Sequence, residues 1–256
     1  MKKIYLITVI IFLTSCSKSN DFGINDSIFS SKDYISKKLN EKKYYLDSLQ
    51  NSINKLNNDS INRNFLFSLS TQYYYLNHFK ESFEVCNKVL QLSINASDSI
   101  GIARSYNYMG DSYENSKRDS AYYYYHKAER LYRLINKNEM AGKMLFNKSY
   151  LLFFEGNYIE SEIIVSKALQ LLIDSRDYQL VFSSYNLIAS DFEKLEEYND
   201  ALKYYLLAQE ILNELEKEDN DFDIKNNYKV SLSVNISSVY EKQFQYSKAA
   251  NELESV

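Results

Sequence analysis

Apolar residues early in the chain recur at intervals of three and four. Ile35, Leu39, Leu46, Leu49, Ile53 and Leu56 keep that spacing, which lines one face of an α-helix and predicts an amphipathic helix over residues 32–57. Residues 17–31 ahead of it are polar and predict a flexible tether. From residue 62 a longer period takes over. A small side chain stands at Ser82, Ala121, Ser161, Ala201 and Ala249, at spacings of 39, 40, 40 and 48 residues. A larger residue follows four positions on (Cys86, Tyr125, Val165, Tyr205, Leu253), and Val89, Ala128, Ala168 and Ala208 come three after that. Each unit also has an upstream half: Met109-Gly110-x-x-Tyr113, Ile188-Ala189-x-x-Phe192 and Ile236-Ser237-x-x-Tyr240. Small residues let two helices approach closely, and aromatics three or four places away fill the groove beside them.

The pattern small-x-x-aromatic, short turn, small-x-x-x-large-x-x-small resembles the tetratricopeptide repeat, with a period of about 40 in place of the usual 34. Asp98-Ser99-Ile100-Gly101-Ile102-Ala103 is similar to the segment that opens the first helix in longer variants of that family. The helix Trp and terminal Pro of the family are missing; Leu66, Tyr106, Leu145, Tyr185 and Ser233 hold the Trp place. The resemblance implies an all-α fold: a right-handed α-solenoid of about five helix pairs after a leading helix. The repeats fall at 62–97, 98–137, 138–176, 177–217 and 226–256, with eight extra residues placed in the acidic, polar stretch Asn213 to Lys229. The chain ends inside the second helix of the fifth pair, which predicts that it is the front part of a longer protein.

Composition sharpens this. There is no Pro, five Gly and 25 Tyr, which favours long helices joined at Asn, Asp and Ser. The 30 basic and 34 acidic residues are mixed along the chain, so no basic face is offered to nucleic acid. The two histidines, His78 and His126, assemble no catalytic constellation, and no phosphate loop, metal motif or cofactor motif is present. The expectation is a non-enzyme without metal or cofactor. Asp219-x-Asp221-x-Asp223 begins like a calcium loop, but Ile224 and Val230 stand where Gly and Glu are needed; a solvated acidic linker is expected instead. Asp-Ser pairs at Ser27, Ser48, Ser60, Ser99 and Ser120 resemble the O-glycosylation acceptor of some exported bacterial proteins, or serve as helix caps, as Asp119-Ser120 before Ala121 suggests.

Residues 1–16 read as a targeting segment. Lys2 and Lys3 precede the apolar stretch Ile4 to Leu13, too short to span a bilayer but right for a signal core. Leu13-Thr14-Ser15-Cys16 resembles the lipobox of bacterial lipoproteins, which implies acylation of Cys16 and an exported protein anchored to the membrane, facing the periplasm or the cell surface. Cys86, left alone, is expected buried on a helix.

The resemblance implies that the first helices of the pairs line a concave, peptide-binding face. Asn107, Asn147, Asn186 and Asn235 recur near the middle of those helices, either as a ladder that bonds the backbone of an extended peptide or as groups satisfied within the solenoid. Other residues of that face are Phe67, Thr71, Arg104, Asp111, Glu114, Phe146, Phe153, Ser190 and Glu193, with Tyr74 and Tyr150 as aromatic anchors. Two functions follow: a membrane-anchored scaffold that binds a protein or peptide in the cell envelope, or the exported sensory half of a regulator with a transmembrane segment beyond residue 256.

Overall fold

The computed structural model describes residues 28–29, 31–53, 60–175, 177–218 and 222–254. Every regular element among them is helical: one turn at Lys32–Ile35, then α1 (Leu39–Ile53), α2 (Ser60–Tyr75), α3 (Phe79–Asn95), α4 (Ser99–Tyr113), α5 (Arg118–Leu134), α6 (Asn138–Phe154), α7 (Tyr158–Leu172), α8 (Tyr178–Lys194), α9 (Tyr198–Glu218), α10 (Phe222–Lys242) and α11 (Tyr246–Glu254). The residues divide into two compact units, 1–124 and 125–256, with the division inside α5. No helix among the described residues is long and apolar enough to cross a membrane. Cys16 and the targeting segment lie outside the described residues.

In the first unit α1 packs on α2, α2 on α3 and α3 on α4, and α2 also reaches α4. Leu46, Leu49, Phe65, Leu69, Tyr73, Val85 and Val89 form its core. Two expectations are corrected here. The tether predicted for 17–31 stops short of Phe29, which is buried and stacks on Phe65 with ring centroids 5.8 Å apart. The helix predicted over 32–57 is broken at residues 36–38. Ile35 and Leu39, assigned to its inner stripe, are exposed, whereas Leu46 and Leu49 are buried. Tyr34 takes the inward place, edge-on to Phe29 at 5.4 Å, because two aromatic rings bury more apolar surface than one isoleucine. The Tyr73 hydroxyl ties α1 down by donating to Asp47 Oδ1 at 2.7 Å.

The second unit repeats one arrangement. α6 pairs with α7, α8 with α9 and α10 with α11; each pair stacks on the next, and the first helices α6, α8 and α10 also touch in sequence. Ala168, Ala201 and Ala208 are completely buried at the predicted small positions, and Tyr205 and Leu212 fill the space beside them. The described part of the stretch that holds the eight extra residues is helical. It lengthens α9 and α10 to 21 residues each, and Asp223 lies within α10; Asp219 and Asp221 lie outside the described residues. The sequence of 213–229 holds neither Gly nor Pro, which suits long helices.

The turns explain how a chain with so little Gly and no Pro folds back so often. After α2, α3, α5, α6, α8 and α10 one residue takes a left-handed backbone: Asn77, Ser97, Asn136, Gly156, Glu196 and Phe244, with φ of 53° to 81°. The next amide then donates to the carbonyl five residues back, as His78 does to Tyr73 and Gln245 to Tyr240 at 2.9 Å. This is the helix-ending motif in which a left-handed residue lets free amides cover the last carbonyls. The opening segment of α4 works as the resemblance implies. Asp98 Oδ1 accepts from the Gly101 amide at 2.9 Å, and a Cβ on Gly101 would lie 2.5 Å from Ser93 Oγ and from Asp98 Oδ2, so a larger residue would push those two side chains aside. Asp119 and Ser120, by contrast, sit inside the first turn of α5 and do not cap it; there Asp119 complements the positive helix terminus.

Candidate protein-binding face

In the second unit, beyond its first two residues, the exposed residues of α6 fall at 140, 143, 150 and 154, with the half-buried residue 147 among them. Met140, Tyr150 and Phe154 are 39%, 38% and 51% exposed, Lys143 is exposed and Asn147 half-buried. That spacing puts all five on one helical stripe. Three aromatic rings run along it: Phe146 stacks on Tyr150 at 6.2 Å, and Tyr150 meets Phe154 edge-on at 4.7 Å. Phe153 turns away, packing on Tyr158 at 5.5 Å. Of the predicted anchors, Tyr150 is therefore presented to solvent within an aromatic cluster. Phe154, Met140 and Lys143 were not singled out in the sequence, although the same spacing that includes Tyr150 contains them.

The matching face of α8 and α10 is polar. Asn235 Nδ2 donates to Asn186 Oδ1 at 3.1 Å, so two of the four asparagines bond each other. Glu193 accepts from Lys242 at 2.7 Å, from Ser238 at 2.9 Å and from the Tyr205 hydroxyl at 2.9 Å. Burial alone would raise the Glu193 carboxyl, but these donors hold it below the usual glutamate range. Asn147 sits one place further along its helix, relative to the small residue, than Asn186 does, and it falls on the aromatic stripe. A second buried ion network stands behind α6. Glu129 of α5 pairs with Lys148 at 3.0 Å and with Arg133 at 2.9 Å. Against its burial, these two cations hold its carboxyl below the ordinary value.

The first unit presents a different face. Phe67 is buried beneath the Arg104 guanidinium, which lies 4.4 Å from its ring centroid and donates to Asn64 Oδ1 at 3.4 Å and to the Tyr108 hydroxyl at 3.3 Å. Asn107 Oδ1 is buried without a hydrogen-bond partner. Tyr74 packs edge-on against Phe79 at 5.5 Å and so closes the turn between α2 and α3, while its neighbour Tyr75 is 70% exposed. Thr71, Asp111 and Glu114 are half-buried. Cys86 is fully buried, its sulfur 2.8 Å from Ser70 Oγ, and burial pushes the thiol up to about 12. No group of three His, Cys, Asp or Glu able to hold a metal occurs among the described residues.

No protein-family model matches the chain, and no curated protein matches its sequence. Solved structures do match its fold. BtubC (BKLC) from P. vanneervenii superposes with a TM-score of 0.73 at 15% identity, covering 86% of this chain and 90% of that one. The apo form of RapI gives 0.63 at 14% identity, covering 86% and 91%. NprR in complex with its cognate peptide NprX gives 0.58 at 14% identity, covering 99% and 72%. A putative kinesin light chain from Podosopora anserina, described as having nearly identical TPR-like repeats, gives 0.57 at 11% identity over 74% of this chain. At such identities the likeness establishes the fold: this chain is an α-helical repeat protein of the tetratricopeptide type.

Proposed function

We propose that the protein is a binding scaffold for another protein or an extended peptide, and that the α6 stripe of the second unit anchors the partner. The observation that carries this reading is the run Met140, Phe146, Tyr150 and Phe154, which keeps aromatic and apolar surface in water on a helix whose other side is packed. Exposed aromatics with a contiguous neighbour are where interfaces concentrate their energy. Asn147 on the stripe, and Asn186 and Asn235 on the next helices, supply donors and acceptors for a partner's backbone. A fold neighbour solved with a bound peptide supports the partner class. The exposed stripe is the feature that points to a role, and the role it points to is binding.

We place this scaffold in the bacterial cell envelope, tethered by lipid on Cys16, on the strength of the Leu13-Thr14-Ser15-Cys16 sequence and the positively charged, apolar segment before it. The binding reading is tested by selecting displayed random peptides on the chain and repeating the selection with Tyr150→Ala. Loss of the selected binders in the variant supports the stripe; equal recovery removes it. The anchor is tested separately by detergent partitioning: Cys16→Ser moves the protein to the aqueous phase or stalls its processing, because acyl chains supply the membrane affinity. Unchanged partitioning of that variant contradicts the anchor alone.

A further inference from the structure

Asp191 of α8 is completely buried, a rare position for a carboxyl. Its Oδ2 lies 2.9 Å from Ser161 Oγ of α7, whose single proton is shared with the Ser149 carbonyl, while Oδ1 is buried and has no hydrogen-bond partner. No ion pair to it is found among the described residues. From α7 the facing charged group is Glu162, of like sign, and from α9 the titratable neighbour is Tyr205, whose own proton is held more tightly chiefly by burial, then by Glu193 and last by Asp191. From α6 the nearest participant is Ser149, whose carbonyl accepts from Ser161 at 3.0 Å, and Lys148 beside it is committed to Glu129. From α10, Lys242 is committed to Glu193. A carboxylate in this place would lose its hydration and keep one hydrogen bond; the neutral acid loses far less.

We propose that the α7–α8 joint is a pH-sensitive hinge, tight while the Asp191 carboxyl keeps its proton and loosened as rising pH draws that proton off. Its register supports this. Thirty residues separate Ser161 from Asp191, as they separate Ser82 from Ser112 in the first unit, where the corresponding contact is between two hydroxyls at 3.2 Å. Between α9 and α10 the same two places hold buried Ala201 and Val239. The register recurs at these three joints, and of the three the α7–α8 joint puts a carboxyl at the second place. Burial, with a smaller contribution from Glu162, raises the Asp191 carboxyl to about 8, outweighing the lowering effect of the Ser161 bond.

The sign follows. A carboxyl whose folded value lies above its unfolded value of about 3.9 contributes its full stability below about pH 4. That contribution is lost as pH climbs from there to about 8, the value in the folded chain. The helix that moves, α8, also carries Asn186, Ser190 and Glu193, so loosening acts on the polar part of the binding face; that consequence rests on the binding reading, the hinge itself does not.

The direct test is a carboxyl ¹³C titration of Asp191 in the intact chain. A midpoint near 8 is expected, and a midpoint below about 5 overturns the proposal. The companion test compares hydrogen exchange of segments 158–194 in wild type and Asp191→Asn at the same pH, so that intrinsic exchange cancels. Wild type is expected to exchange more than about tenfold faster than the variant at pH 8.5 but within about twofold of it at pH 4. A ratio independent of pH overturns the hinge, whatever the outcome of any binding measurement.

Discussion

At the α3–α4 joint of the first unit, Ser112 donates to Ser82, Ser82 lies 3.0 Å from Ser70, and Ser70 in turn touches Cys86. At the α7–α8 joint of the second unit the same register positions hold Asp191, Ser161 and Ser149. Both joints need a small residue in the second helix so that the next pair can approach, and both use a serine that must then be satisfied. The first unit satisfies it with uncharged groups only. The second places an acid opposite it and leaves one of the acid's oxygens unpaired. The fold dictates the spacing of these positions but not their chemistry, so one joint is indifferent to pH and the other is not.

Ser112→Asp carries the acid into the first unit and gives the largest expected effect. If its carboxyl is raised as that of Asp191 is, to about 8, the variant loses about 4 kcal/mol at pH 7, at 1.36 kcal/mol for each unit of displacement. The loss should vanish toward pH 4. Thermal melts across that range check it, and a pH-independent loss would mean that the joint merely lacks room. Next come the paired deletions Ser161→Ala and Ser82→Ala. The first leaves both oxygens of Asp191 unpaired and should cost about 2–3 kcal/mol in a urea titration. The second should cost about 1 kcal/mol, because Ser112 still donates to the Tyr108 carbonyl at 2.9 Å. Equal costs would erase the contrast between the joints. The smallest effect concerns the turns. Phe244→Gly should stabilise the second unit by about 0.5–1 kcal/mol, since a bulky residue is strained at φ of 60°. Asn77→Gly at the same φ in the first unit should change little, because asparagine tolerates that backbone.

The helices and their small positions were legible in the sequence because packing imposes a period. Ala121, Ala128, Ala168, Ala201 and Ala208 had to be small, and all five are fully buried. The opening of α4 was legible because Asp98 caps the Gly101 amide three residues on, where a larger residue would crowd Ser93 and Asp98. The leading segment was misplaced because Tyr34 and Ile35 are adjacent and period alone cannot say which of them outbids the other for the core. The turns at Glu196 and Phe244 gave no signal, since neither residue type favours the backbone it adopts there. The acid at Asp191 was invisible for a different reason: a carboxyl among so many others declares itself only when its burial is known. On the binding face, Tyr150 was legible as an aromatic at a repeat position. Phe67 was misjudged, because in this fold its ring serves as a buried platform for Arg104.

The central claim is that the second-unit stripe, and not exposed aromatic surface in general, anchors a partner. Phe154 and Tyr75 occupy the same register position in their pairs and are 51% and 70% exposed, yet the rings beside Tyr75, Tyr74 and then Phe79, lead into the α2–α3 turn, whereas Phe154 continues along its own helix through Tyr150 to Phe146. Calorimetric titration of a peptide selected on the chain, against Phe154→Ala and Tyr75→Ala side by side, separates the two. The account predicts that Phe154→Ala weakens binding by about tenfold or more while Tyr75→Ala stays within about twofold of wild type. Full affinity in Phe154→Ala, or an equal loss in both variants, would contradict it.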